Sequence, residues 1–354
     1  MMRCAVLDDY QNVALTMADW GPAAVAVTVH TRHYASDDAV VAAIDGCEIV
    51  VAMRERTPFT RALLARLPAL KLLVSTGPRN PSIDLAAAAE QGITVCGTDA
   101  LPYPTAELTW ALILGLTRHI PHEQANLRNN GHWQTRVGLD LHGRTLGLLG
   151  LGTLGAQMAR IGQAFGMQVI AWSNNLRPER CAELGVSHVS LQRLVSDSDV
   201  LSIHTQLSRR TEGLIGHAEF AQMKRSAFLI NTSRGPIVRE EALVDALRRG
   251  LIAGAGLDTF DVEPLPADHP LRHLPNVLAT PHVGYVSADN YRLWYTQIVE
   301  TITAWRSLQA NTRKARRRAW AGRACSSASS TWTWNTARSV GATSRSSPPS
   351  RRRR

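Results

Sequence analysis

The sequence is poor in cysteine, and what it has forms no pattern. Cys4, Cys47, Cys96, Cys181 and Cys325 are odd in number and widely scattered, with no CxxC and no His/Cys ligand spacing. That excludes a disulfide framework and a zinc site, and points to a reduced, cytoplasmic setting. Long hydrophobic runs are also missing. Met1 to Asp8 holds one short apolar run that reads as a first strand, not a signal peptide. The most apolar helical stretch, Ala106 to Leu116, begins beside Glu107 and ends before Arg118. It is too short to span a bilayer and reads as a core or interface helix. No nucleophile elbow is present, which removes one hydrolase class, and no repeat of solenoid period occurs.

Acidic residues are absent from the end of the chain. From Asn311 to Arg354 there are twelve Arg or Lys and no Asp or Glu, so the net charge of +10 belongs to that tail. The preceding 310 residues carry 27 basic against 29 acidic side chains. Rich in Ser, Ala and Arg and without apolar periodicity, the segment 311–354 is expected to be disordered. An arm for nucleic acid or an anionic surface is one reading of it. The preferred reading is an unselected extension, for instance from a shifted frame, so no nucleic-acid or membrane partner is expected.

The sequence does contain a glycine-rich turn in a telling place. The apolar run Leu146 to Leu149 reads as a buried strand and flows into Gly150-x-Gly152-x-x-Gly155. A helix follows, with Met158, Ile161 and Phe165 at helical spacing and Gly166 where a C-terminal cap belongs; a second strand, Gln168 to Trp172, comes next. Glycines so spaced allow a tight turn, close approach of backbone to a pyrophosphate, and close helix–strand packing, with the helix N-terminus facing the phosphates. In that setting the motif predicts a nicotinamide-type dinucleotide.

Strand and helix patterns alternate on both sides of this turn. Strands are expected at Arg3–Leu7, Val25–His30, Ile49–Met53, Leu70–Ser75 and Ile93–Cys96, with helices at Ser36–Ile44, Thr60–Arg66 and Ile83–Gln91. Beyond the turn come strands near Val200–His204, Ala227–Asn231, Ala253–Gly256 and Asn276–Ala279, with helices at Glu179–Leu184, Leu191–Ser196 and Arg239–Arg249. Such alternation predicts parallel α/β sheets. A long helix near Thr105–His119 joins the two α/β units. A last amphipathic helix, Asp289 to Ser307, is expected to return to the first.

Three later segments place reactive side chains at strand ends: Asn231-Thr232-Ser233-Arg234-Gly235, Asp258-Thr-Phe-Asp-Val-Glu263-Pro264, and Thr280-Pro281-His282-Val-Gly284. Ligands of open α/β sheets bind at the carboxyl ends of the strands. Reducing a 2-keto acid needs a proton donor for the carbonyl oxygen, a role that imidazolium fills near neutral pH. A carboxylate orients that imidazole, and a guanidinium can fork onto the substrate carboxylate and polarise the carbonyl.

These segments, with the glycine turn, resemble those of the D-isomer-specific 2-hydroxyacid dehydrogenases, which include phosphoglycerate, D-lactate and glyoxylate/hydroxypyruvate enzymes. The resemblance covers roughly residues 45–308. It implies Arg234 as substrate anchor, Glu263 as partner of His282, and His282 as general acid/base. For the cofactor it implies Gly150, Gly152, Leu154, Gly155, Ser173, Asn174, Thr105, Thr211, Thr232 and Asp258, with Asp258 and Thr105 on the nicotinamide side. It also implies two Rossmann-like or flavodoxin-like domains. A substrate-binding domain formed by 1–100 and 285–310 would be discontinuous, with a dinucleotide-binding domain, 101–284, inserted in it, and homodimers would form through the cofactor domains.

Two departures stand out. Ser173 occupies the place where NAD-preferring members carry an acidic residue, which favours NADP modestly over NAD. The substrate loop, usually glycine-rich, reads Gly77-Pro78-Arg79-Asn80 here, so that Pro78 removes an N–H donor. Arg54, Gly77 and Arg79 are therefore the substrate candidates of the first domain, Arg79 either supplying a side-chain charge or pointing to solvent. The expected activity is an NAD(P)-dependent interconversion of a D-2-hydroxy acid and a 2-keto acid. The alternative is a dinucleotide-sensing, corepressor-like binding protein on the same fold. A formate dehydrogenase is disfavoured, since that branch has glutamine beside the histidine; phosphite oxidation stays open.

Overall fold

The computed structural model describes residues 1–321, and the side-chain surroundings of residues 1–311. Its backbone divides into two compact units, Met1–Ala100 with the chain from Tyr291 onward, and Leu101–Asn290.

Unit 1 is built on five short strands, β1 (Arg3–Val6), β2 (Ala26–Val29), β3 (Ile49–Ala52), β4 (Leu72–Ser75) and β5 (Thr94–Gly97). All pair in parallel in the order β2-β1-β3-β4-β5. Every residue of β3 and β4 is buried, as parallel strands covered on both faces require. Between them run α1 (Asp37–Ile44), α2 (Arg61–Ala65) and α3 (Leu85–Glu90). Each starts on a capping side chain: Ser36 accepts from the Ala39 N–H, Thr60 from Leu63 and Asp84 from Ala87.

Unit 2 opens with α4 (Pro104–Thr117) and α5 (Ile120–Arg128). The first turn of α4 carries Pro104, where a missing N–H costs nothing. There follow β6 (Thr145–Leu149), α6 (Thr153–Ala164), β7 (Gln168–Trp172), α7 (Pro178–Glu183), β8 (Ser187–His188), α8 (Leu191–Asp197) and β9 (Val200–Ile203). The rest comprises α9 (His217–Phe220), β10 (Phe228–Asn231), α10 (Glu240–Arg248), β11 (Gly254–Leu257) and β12 (Val277–Ala279). The seven strands are all parallel, in the order β12-β11-β10-β9-β6-β7-β8. The order reverses between β6 and β9, the place where doubly wound sheets open a crevice for ligand.

Register makes the strand ends flush. Leu149 lies opposite both Trp172 and Ile203, Ile203 opposite Asn231, Asn231 opposite Leu257, and Leu257 opposite Ala279. One edge of the sheet therefore carries the glycine turn and the loops of Arg234, Glu263 and His282.

Two details differ from the sequence pattern. In α6 Met158 is buried, but Ile161 and Phe165 are each more than a third exposed. The helix packs instead on Gly155, Ala156, Ala159 and Gly162, and a Cβ at Gly162 would lie 2.7 Å from Leu146 Cδ2. Close approach to the sheet selects small residues and pushes the large ones outward. The second is α5, which the sequence does not mark; it buries no residue and so shows no apolar stripe.

The last helix, α11 (Ala288–Ala321), returns to unit 1. Trp294 Nε1 donates to Asp99 O at 2.8 Å, Trp305 Nε1 to Thr94 Oγ1 at 3.3 Å, and Trp294, Tyr295 and Ile298 are buried. It continues past residue 311 into the segment whose composition predicts disorder; residues 322–354 of that segment lie outside the described ones. Among the described residues no helix is long and apolar enough to cross a membrane, and Cys4, Cys47, Cys96 and Cys181 are free thiols.

Candidate active site

The glycine turn leaves β6 at Gly150, whose N–H donates to Trp172 O at 2.9 Å. Gly150 has φ +104°, and a Cβ there would lie 2.8 Å from the His204 carbonyl. A Cβ on Gly155 would fall 2.2 Å from Gly150 O. These two glycines are demanded by the fold of the turn itself. Gly152 differs: it caps α6 at φ −76°, and a Cβ there would meet nothing within 4 Å. Open space thus faces the helix N-terminus at Gly152, a cradle that fits a pyrophosphate. Leu154, two residues further, is partly buried against the core.

Behind the turn, the loop after β9 begins with His204, whose Nε2 lies 2.8 Å from Ser202 Oγ. The residue is half-buried, and desolvation pushes its imidazole down to about 4. The carbonyl of Thr205 accepts from Ser233 Oγ at 2.5 Å, tying this loop to the one after β10. That second loop is shaped by Asn231, buried at the end of β10, which donates through Nδ2 to Arg234 O (2.9 Å) and accepts from Ser233 N–H (3.0 Å). Gly235 lets the loop press on the next one, since a Cβ there would lie 2.2 Å from Phe260 C.

Arg234, Glu263 and His282 come together at this edge. Glu263 Oε2 stands 2.6 Å from His282 Nδ1, and its Oε1 accepts from the Phe260 N–H at 2.9 Å. Burial raises the carboxyl, but the bond and charge of His282, the Phe260 N–H and the Arg234 guanidinium outweigh it, so Glu263 sits below its ordinary value. His282 has φ +53°, a conformation uncommon outside glycine, and its ring meets Tyr285 edge-on at 5.5 Å.

Asp258 holds the histidine loop in place. Only 1% exposed, it accepts from Thr280 Oγ1 (2.6 Å) and from the N–H groups of Val283 and Gly284 (2.8 Å each). Burial still pushes its carboxyl above the ordinary value despite those bonds. Thr105, at the start of α4, donates to Gly284 O at 3.1 Å, and buried Thr232 shares a 2.8 Å hydrogen bond with Thr109. An arginine, a carboxylate-backed imidazole and an open helix N-terminus thus share one edge of a doubly wound sheet.

Residues 110–284 match the D-isomer specific 2-hydroxyacid dehydrogenase, NAD binding domain family. A glyoxylate reductase of Aeropyrum pernix is 39% identical over 252 residues, 69% of this chain and 75% of that one. The chain belongs to the D-isomer specific 2-hydroxyacid dehydrogenase family. Among solved structures, a phosphoglycerate oxidoreductase of Vibrio cholerae superimposes with TM-score 0.82 at 35% identity, covering 87% of this chain and 99% of that one. A D-lactate dehydrogenase of Aquifex aeolicus, solved with NAD and lactic acid, gives TM-score 0.70 at 25% identity over 88% and 98%. This chain is therefore an oxidoreductase of that family, and unit 2 contains the family's NAD-binding segment.

The remaining sequence candidates fall in two places. Ser173 and Asn174 follow β7 directly, Ser173 half-buried and Asn174 exposed. Thr211 is 5% exposed, and its hydroxyl serves its own loop: it accepts from Ser208 N–H and donates to Gln206 O. Arg54, Gly77 and Arg79 all belong to unit 1. Gly77 has φ +84°, and a Cβ there would fall 1.9 Å from Arg54 Nη1, so the Arg54 side chain lies over the glycine. Its N–H is taken by Thr98 Oγ1 at 2.7 Å, while Arg79 is exposed. Sequence reasoning assigned no role to Thr109, Ser233, Tyr285 or Arg210. Of these only the Arg209-Arg210 pair, next to Thr211, carries a local signal.

Proposed function

We propose that this dehydrogenase interconverts a D-2-hydroxy acid and its 2-keto acid, with His282 as general acid/base, Glu263 as its partner and Arg234 as substrate anchor. The observation that carries the reading is the 2.6 Å contact between Glu263 Oε2 and His282 Nδ1, beside Arg234. With Nδ1 committed to the carboxylate, Nε2 is the edge of the ring that delivers a proton to the carbonyl oxygen or takes it from the hydroxyl. Glu263 fixes the direction of the ring. Arg234 supplies a charge-assisted fork for a carboxylate and polarises the carbonyl next to it. When bound, a nicotinamide supplies or accepts the hydride at the substrate carbon.

The open face of Gly152 supports a dinucleotide at the turn, with Asp258, Thr105 and Thr232 near its nicotinamide end and Ser173 and Asn174 near its adenosine end. Ser173 brings no carboxylate, which favours NADP over NAD. In unit 1, Arg54, whose side chain lies over Gly77, and exposed Arg79 are the substrate-binding candidates. Leu127, Trp133 and Val137, 62%, 78% and 94% exposed, support a homodimer through unit 2, which light scattering measures directly.

The test is a panel of 2-keto acids, beginning with glyoxylate and hydroxypyruvate and extending to pyruvate and aromatic homologues, with NADH and NADPH in parallel. Turnover of at least one member is expected. Dinucleotide binding without turnover of any would replace this reading with the dinucleotide-sensing one.

A further inference from the structure

The end of β7 lacks an acid, and a neighbouring loop delivers a cation to it. The chain from Trp172 runs Ser173-Asn174-Asn175, with no basic side chain before Arg177. Arg210 comes from elsewhere, the loop that follows β9. Thr211 stiffens that loop, its hydroxyl accepting from Ser208 N–H at 2.8 Å and donating to Gln206 O at 2.7 Å. Because Leu149 pairs with both Trp172 and Ile203, the loops after β7 and β9 flank the glycine turn on either side.

Arg210 joins those two loops through Asn175. With the Asn175 amide turned so that its nitrogen donates to Asn174 O at 3.2 Å, its oxygen accepts from Arg210 Nη2 at 3.2 Å. The partner is a neutral amide, and Arg210 is exposed, so its charge is not cancelled there by a carboxylate. A guanidinium held in this way has donors to spare for an anion.

We propose that Arg210, with Ser173 and Asn174, forms a subsite for a phosphate monoester on the adenosine ribose 2′ position, which makes the enzyme selective for NADP(H). This rests on the reading that unit 2 binds a nicotinamide dinucleotide at Gly150–Gly155. In relatives that prefer NAD the acid at the end of this strand accepts from the 2′-hydroxyl and repels a 2′-phosphate. Ser173 does neither. Arg210 adds a charge-assisted fork from the far side of the turn, and the neighbouring hydroxyl and amide complete a donor set suited to phosphate oxygens. The subsite is open to water, so its attraction weakens with salt.

Calorimetry with adenosine 2′,5′-bisphosphate and adenosine 5′-monophosphate tests the subsite apart from turnover. The bisphosphate is expected to bind at least roughly tenfold more tightly, the preference shrinking as salt rises. Nicotinamide fluorescence then gives the NADPH-to-NADH affinity ratio. Arg210→Ala is expected to lower that ratio roughly ten- to hundredfold, the usual range for losing a hydrogen bond to a charged group. Ser173→Asp is expected to reverse the preference. Equal binding of the two nucleotides, or an Arg210→Ala variant that weakens NADPH and NADH alike, overturns the subsite while leaving the dinucleotide reading intact. If neither nucleotide and neither dinucleotide binds, both readings fall.

Discussion

Two glycines of one turn respond to the same substitution in opposite ways. At Gly155 an added methyl carbon would sit 2.2 Å from Gly150 O and 3.1 Å from Gly150 C. That is more than 1 Å inside the roughly 3.5 Å at which such atoms rest. The turn or α6 must move, and α6 is already pressed against the sheet on small residues, so the strain has no soft outlet. Overpacking of this kind costs about 3 kcal/mol. In a unit of this size each kcal/mol lowers Tm by roughly 2–4 °C, so Gly155→Ala is expected to lose about 6–12 °C. At Gly152 the backbone, at φ −76°, already suits alanine, and the new methyl group meets nothing within 4 Å. Only the mild preference for glycine over alanine at a helix N-cap is lost, about 0.5–1 kcal/mol and roughly 1–4 °C. Yet that methyl enters the space where a pyrophosphate would meet the free N–H groups of α6. Gly152→Ala is therefore expected to fold nearly as the parent does and to bind NADPH or NADH at least roughly tenfold more weakly. Thermal unfolding by circular dichroism and a fluorescence titration measure the two effects separately. A Gly152→Ala protein with full dinucleotide affinity, or one as destabilised as Gly155→Ala, refutes the argument.

Other expectations concern the chemistry and its surroundings. His282→Ala should lower kcat by about two to four decades with dinucleotide affinity nearly unchanged; near-full turnover would remove His282 from the mechanism. Glu263→Gln weakens the 2.6 Å contact that orients the His282 ring. It should lower kcat with dinucleotide affinity nearly unchanged, and full turnover would make Glu263 merely structural. Arg234→Ala should raise KM for the keto acid far more than it changes dinucleotide affinity, which steady-state kinetics and titration together decide. His204 is a stability prediction. Its imidazole is held down to about 4 in the fold against 6.5 when free, so the unfolded chain binds the extra proton between those values. Stability should fall as pH drops from about 6.5 to 4, and His204→Gln should flatten that slope in a Tm-against-pH series.

The alternation of apolar runs with helical patterns was enough to read two parallel α/β units, because a strand buried on both faces has no polar side to interrupt it. Strands such as β7 and β9 could be placed within a residue, and Gly150-x-Gly152-x-x-Gly155 was legible because Gly150 and Gly155 leave no room for a Cβ while Gly152 keeps the helix N-terminus open. Arg234, Glu263 and His282 were legible as candidates for a related reason: each follows a strand, and parallel strands end together. Their direct contact, Glu263 to His282 at 2.6 Å, needed the register that aligns β10, β11 and β12.

Other features were decided by packing between residues distant in sequence. The apolar residues of α6 gave no hint that Ile161 and Phe165 face outward, because Gly155 and Gly162 set how near the helix comes to the sheet. Asp258 reads in the sequence as a cofactor contact; folded, its carboxylate spends three hydrogen bonds fixing the loop of His282. Nor could any run of neighbours show that Arg210 reaches Asn175, 35 positions away. Periodicity and turn chemistry are local and so are written in the chain, whereas the company a charge keeps depends on which loops the sheet order sets side by side.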